Sequence, residues 1–279
     1  MWILIGLLLV AAGVAGFFYM QHTKRELHAM IGTDTLTIPQ LEDLRRISDD
    51  LGAIGGSDAE RLPLGGGGRR AGGFRKVAGV VGTAHPRPEG PLVSEVSKSE
   101  CVWYRYRIDR QYEHVEYRDG RRHRSKRTEK VVEHTSAEGY ALIDEQGRTI
   151  GVDPNGTSPD GVEQSVNRFE PHHGRGGHSE LFGIRLPAAL GGGRDSTLGY
   201  EYKEWLIRPG RRMYILGEVH DKIGPLVIGK PEQGGHFLIS TRTEHELRAD
   251  RVQRHKFLAV GVIVAVVGGV AAVIGGLVS

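Results

Sequence analysis

The sequence predicts a mainly β water-soluble domain, made of antiparallel hairpins in a sandwich- or barrel-like arrangement, set between two transmembrane α-helices. Three observations predict it. Both ends of the 279-residue chain are long runs without charge. The middle alternates apolar and polar residues with a period of two, as half-buried strands do. Glycine and proline punctuate that alternation at turn positions.

The first run, Trp2 to Met20, and the last, Phe257 to Val278, hold no Asp, Glu, Lys or Arg. Each is close to the ~20 residues a helix needs to cross a ~30 Å hydrocarbon core. A cleaved signal peptide would carry basic residues first and a small-residue cleavage site. Here the first run lacks the former and ends Phe17-Phe18-Tyr19-Met20, so it reads as a retained anchor. Lys24 and Arg25 follow the first run, and Arg242, Arg248, Arg251, Arg254 and Lys256 precede the second. The positive-inside rule then places the central domain in the cytoplasm and both termini outside. The expected organisation is a transmembrane helix (1–20), a membrane-proximal helix and Gly-rich linker (21–73), a β-rich domain (74–240), a juxtamembrane helix (241–256) and a second transmembrane helix (257–278).

Thr37, Pro39 and Gln40 open a helix with a capping box, and Leu41, Leu44, Ile47 and Leu51 continue it at helical spacing. That apolar stripe packs on the domain or lies on the bilayer surface. Gly55-Gly56 and Gly65 to Gly68 mark the linker. Val102, Tyr104, Tyr106 and Ile108 form the apolar face of a strand, with Trp103, Arg105, Arg107 and Asp109 on the other. Tyr140–Ile143 and Thr149–Val152 read as one hairpin. Glu204–Ile207 and Met213–Leu216, joined through Pro209-Gly210, read as another. Pro225–Ile228 and Phe237–Ile239 are the last strands, and Thr243 to Glu246 is a second capping box.

Candidate chemistry is sparse. Arg118, Arg121, Arg122, Arg124, Lys126 and Arg127 face one acid, Asp119, in a hairpin tip. They are a solvated tip or a patch for anionic lipid headgroups. Nucleic acid is not an expected partner, because aromatic residues do not interleave with these charges. His172, His173 and His178 are a weak metal candidate in a glycine-rich loop that provides no fixed geometry. No catalytic, cofactor-binding or firm metal-binding residue is expected, and no nucleophile motif is present. The one cysteine, Cys101, reads as a small buried hydrophobe. Expected partners are the membrane and a protein or lipid ligand. Small residues four apart (Ala12 and Gly16; Gly261, Ala265 and Gly269) suit packing of the two spans, or of copies of the chain.

Pro91-Leu-Val-Ser94, Cys101-Val-Trp-Tyr-Arg105 and Glu204-x-x-Ile207-x-Pro-Gly210-x-x-x-Tyr214-x-x-Gly217-Glu218 resemble the GIDE family, also called MULAN, over roughly residues 1–278. The resemblance implies a membrane-embedded RING-type ubiquitin ligase built as span, "beside a membrane" β domain and span. A RING follows the second span in that family and recruits the ubiquitin-conjugating enzyme. It needs eight Cys or His ligands around two zinc ions, and this sequence ends at Ser279 with one cysteine. The expectation is therefore a non-catalytic, membrane-anchored binding or regulatory module, the alternative being a ligase component whose RING comes in trans. The Gly- and Arg-rich composition suits a bacterial member. In eukaryotic members the β domain faces the space between the mitochondrial membranes, whereas the flanking charges here favour the cytoplasm of a bacterial cell.

Overall fold

The computed structural model describes residues 8, 11–16, 18, 33–55, 73–118, 120–172, 180–181, 184–185 and 196–278. The mainly β domain is present, and its centre is a closed barrel. Strand β1 (Arg75–His85) is long enough to pair on both sides, with β6 (Tyr140–Ile143) and with β12 (Arg212–His220). β6 turns through Gly147, at φ +76°, into β7 (Thr149–Val152). β7 runs parallel to β13 (Val227–Gly229), which pairs antiparallel with β12 and closes the circuit β1-β6-β7-β13-β12-β1. In chain order these are strands 1, 2, 3, 5 and 4 of a five-stranded Greek-key barrel, the connectivity of an OB-fold. β14 (Leu238–Ser240) adds to β12 beyond the end of β13.

Two insertions into this barrel build a second layer. The chain between barrel strands 1 and 2 contains β2 (Leu92–Val93), β3 (Glu100–Cys101), β4 (Trp103–Arg118) and β5 (Arg121–Thr135). That between strands 3 and 4 contains β8 (Glu163–Pro171), β9 (Glu180–Leu181), β10 (Ile184–Arg185) and β11 (Ser196–Ile207). β4 and β11, one from each insertion, pair from Trp103↔Ile207 to Glu113↔Ser196 and centre a four-stranded sheet, β5-β4-β11-β8.

The predicted hairpin of Glu204–Ile207 with Met213–Leu216 is corrected: these strands belong to different sheets. Between them, the Gly210 N–H donates to the Ala84 carbonyl and the Arg211 carbonyl accepts from the Ala84 N–H. The turn thus hands the chain from one layer to the other. Pro225–Ile228 and Phe237–Ile239 also form strands that do not pair with each other, since both lie against β12. Trp103, read as outward, is buried in the barrel core with Val102, because β4 begins at the junction of the layers. Tyr104, Tyr106 and Ile108 instead fill a second core with Cys101, Tyr202 and Leu206.

Both capping boxes form. The Thr37 N–H donates to Gln40 Oε1 and the Gln40 N–H to Thr37 Oγ1, opening α1 (Ile38–Gly55). The Thr243 N–H donates to Glu246 Oε2 and the Glu246 N–H to Thr243 Oγ1, opening α2 (Glu244–Val278). Ile38 and Leu41 are buried against the barrel, whereas Leu44 and Ile47 are 38% and 54% exposed. The apolar stripe is split because Ile38, Leu41 and Arg45 face the domain, and Leu44 and Ile47 lie about a quarter-turn or more away. Arg45 pairs with the buried Asp221 at 3.2 Å, and Asp221 also accepts the Phe74 N–H, locking helix to barrel.

Leu247 of α2 packs on Tyr214 and Leu216, and the helix continues unbroken through the uncharged run. Residues 11–16 are helical and lie against it: a Cβ at Gly13 would come 2.6 Å from Val266 Cγ2, and one at Gly16 2.9 Å from Val262 Cγ2. Among the described residues no helix is long and apolar enough to cross a membrane. Most of the first run, several side chains of the second and the linker glycines of residues 56–72 lie outside the described residues.

Candidate functional site

The expected hairpin forms with its turn at Gly120, and its six basic residues lie in the strands beside that turn. The segment is itself strand, paired from Arg118↔Arg121 through Tyr117↔Arg122, Val115↔Arg124 and Glu113↔Lys126 to Tyr112↔Arg127. Gly120, at φ +72°, makes the turn. β11 stops pairing with β4 at Glu113, and among the described residues β4 and β5 continue beyond it as a two-stranded ribbon, with Val115 buried on it. Its last five residues on β4 extend about 17 Å beyond the sheet at ~3.4 Å per residue. Arg121 through Lys130 are all exposed.

Alternation places Arg122, Arg124 and Lys126 on one face and Arg121 and Arg127 on the other, so neither face is apolar. Tyr117, 61% exposed, stands beside the turn opposite Arg122. An aromatic ring therefore does lie among these charges, which period-two reading of β5 alone could not reveal. From Glu113 to Arg127 six basic residues face three acids, an excess of three that equals the net charge of the whole chain, +3.

The root of the ribbon is different: its charges are paired. Arg110, buried, donates from Nε to Thr197 Oγ1 at 2.9 Å, reaches Glu129 at 3.5 Å and stacks its guanidinium 4.8 Å from the Tyr112 ring. Asp109, also buried, accepts from Arg107 Nε at 2.7 Å and faces Lys203 Nζ at 3.6 Å. Glu133 takes Lys130 Nζ at 2.6 Å and Arg105, and these cations hold its carboxyl down to about 2. Neutralised ladders suit a sheet face that must not attract partners, while Arg124, toward the tip, pairs with Glu113 only at 3.6 Å.

The motif residues serve architecture. Glu204 is fully buried on β11, and its carboxylate accepts from the Val96 N–H at 2.8 Å, the Ser97 N–H at 3.1 Å, Ser94 Oγ at 3.3 Å and Ser165 Oγ at 2.8 Å. It pins the turn before β3 onto the second sheet. Ile207 enters the barrel core, Gly210 makes the crossing at φ +82°, and Glu218 pairs with Arg75. Tyr214 passes so close to Gly79 that a Cβ there would sit 2.8 Å from its hydroxyl. A carboxylate inside the apolar stretch Glu204-Trp-Leu-Ile was the available sequence signal for this buried role.

Cys101 is buried, its thiol donates to the Leu92 carbonyl, and burial together with the neighbouring Glu204 charge pushes it up to about 12. A reactive cysteine needs the opposite, a stabilised thiolate. Of the candidate metal ligands, His172 is tied through its N–H to the Leu198 carbonyl and lies edge-on to Tyr200, while His173 and His178 fall outside the described residues. Among the described residues no three His, Cys, Asp or Glu side chains are grouped to hold a metal. A cleft of about 280 Å³ lies between Thr35, Thr83, Asp144 and Arg212. Its charges are used locally, Arg212 by Glu145 at 3.3 Å and Asp144 by the N–H groups of Gln146 and Arg148.

The GIDE family, described as E3 ubiquitin ligase, matches residues 111–275, more than half of the 279-residue chain. No curated protein and no solved structure gives a match.

Proposed function

The chain belongs to the GIDE family of E3 ubiquitin ligases, and from that premise we propose that these residues form a membrane-anchored binding module of a ubiquitin-ligase system. One observation carries the reading: the family match runs from inside the ribbon, through both β layers, and far into the uncharged stretch of α2. Domain and apolar helix are thus one unit. Supporting the anchor, Phe257, Val260, Ile263, Val264 and Val267 of α2 are exposed large apolar side chains, as are Leu8, Val14 and Phe18 near the other terminus. The five on α2 form one exposed apolar face, and the run carries no charged residue to turn toward water, which suits a helix set in lipid. Residues 257–278 at 1.5 Å each measure about 33 Å.

Supporting a binding role, the one cysteine is buried with a suppressed thiolate, and zinc-chelating thiolates are not available within these residues. The family description favours a second reading, in which a RING supplied in trans completes a ligase. The test is a ubiquitination assay on the full chain in detergent, with activating and conjugating enzymes and zinc analysis of the same sample. The expected result is no transfer and no stoichiometric zinc; transfer by the chain alone, or two zinc ions per chain, overturns the binding reading. The anchor is tested by alkaline extraction of membranes, where release into the supernatant refutes it. The cytoplasmic orientation is tested at Ser158, exposed on the loop after β7. In intact cells Ser158→Cys resists a membrane-impermeant thiol reagent if the charges orient the domain inward, and labelling reverses the assignment.

A further inference from the structure

We propose that the β4–β5 ribbon is a docking element for an anionic lipid surface, laid against the headgroups of the bilayer that holds the apolar helix. The inference rests on the anchoring reading above and adds a second point of contact to it. Four observations lead there. Among the described residues the ribbon pairs with no third strand beyond Glu113, and its β5 side chains from Arg121 to Lys130 are open to a partner. Arg121, Arg122, Arg124, Lys126 and Arg127 are all exposed, while the ribbon root is neutralised by Arg110–Glu129, Arg107–Asp109 and Lys130–Glu133 pairs. Positive potential is therefore concentrated at the end. Tyr117 stands exposed beside the turn, where an amphipathic ring suits the headgroup level of a bilayer.

The fourth observation is length. Leu247 fixes α2 to the barrel, and Phe257, where the uncharged run begins, lies ten positions further along. That holds the domain about 15 Å from the hydrocarbon edge. The ribbon extends about 17 Å beyond its sheet, a length comparable to that gap. Duplex nucleic acid also accepts a two-stranded ribbon in its major groove. The tether decides for lipid, because a helix in the bilayer keeps the ribbon at a high effective concentration of headgroups.

The experiment uses the full chain with Ser125→Cys in a Cys101→Ser background, labelled with an environment-sensitive fluorophore. It is reconstituted in nanodiscs of phosphatidylcholine alone, or of equal parts phosphatidylcholine and phosphatidylserine. The expected result is a blue shift in the anionic discs that salt reverses. Replacing Arg121, Arg122, Arg124 and Arg127 by Ser abolishes it, since each basic side chain near such a surface changes the docking equilibrium roughly fivefold. Circular dichroism of this variant should match the parent, as exposed charges contribute little to folding. Identical emission in both discs overturns the docking and leaves the anchor standing. A chain that fails to co-purify with discs removes anchor and docking together. A shift with duplex DNA or RNA in neutral discs, and none with phosphatidylserine, overturns lipid in favour of nucleic acid.

Discussion

Replacing Glu204 by Gln should release the turn between β2 and β3 and expose Cys101 to solvent reagents. The carboxylate is fully buried and holds Val96, Ser97, Ser94 and Ser165 together. Hydrogen bonds to a charged group contribute about 1.5–3 kcal/mol each. A Gln keeps one acceptor oxygen, which can retain the 2.8 Å bond from the Val96 N–H, and turns an NH₂ toward donors. Loss of about two such bonds is worth roughly 3 kcal/mol, or a factor of about 150 in local opening. Cys101, the one cysteine, begins β4's approach just beyond this turn and is buried beside Glu204, so it reports the opening directly. The assay is the rate of thiol labelling of the full chain under native conditions, divided by the rate in denaturant. A change in thiol acidity alone would follow pH, so the ratio is taken at two pH values. An increase of less than threefold at both would refute the claim that this carboxylate pins the β2–β3 turn onto the second sheet.

Other outcomes follow from the same geometry. Gly13→Leu should abolish cross-linking between cysteines placed at Gly16 and Val262, because its side chain meets Val266, whereas Gly268→Leu, with open space around it, should leave the yield unchanged. The Glu133 carboxyl is held at about 2 against an ordinary 4.5, so its pairing contributes above pH ~4.5 and is lost as pH falls toward 2. Glu133→Gln should therefore flatten that part of an acid-unfolding profile, and an unchanged profile would show the pairing to be inert. Gly79→Ala should lower thermal stability by about 1–3 kcal/mol, since its Cβ would press the Tyr214 hydroxyl and Thr35, and Tyr214→Phe should recover part of the loss.

The sequence by itself determined whatever depends on neighbours within a turn or so. Thr37–Gln40 and Thr243–Glu246 cap helices through bonds three residues apart, and the Tyr140–Val152 hairpin closes over its own glycine turn. The apolar alternation at Tyr104, Tyr106 and Ile108 needed only the period of a strand, and the basic run around Arg121 was visible as composition. Only the tertiary structure decided which strands meet. Val227 joins Gly151 in parallel to close the barrel, and Glu113 to Trp103 pair with Ser196 to Ile207 across two separate insertions. Nothing local distinguishes those partners, because strand pairing is chosen by burial of faces far apart in the chain. The same holds for charge. Glu204, Asp109 and Asp221 read as ordinary acids, yet the fold buries each against specific donors. Meanwhile β11's last pair with β4 is at Glu113, and the basic side chains from Arg121 to Arg127 beyond it are exposed. A side chain's chemistry is written in the sequence, but its solvation depends on which other segment arrives on top of it.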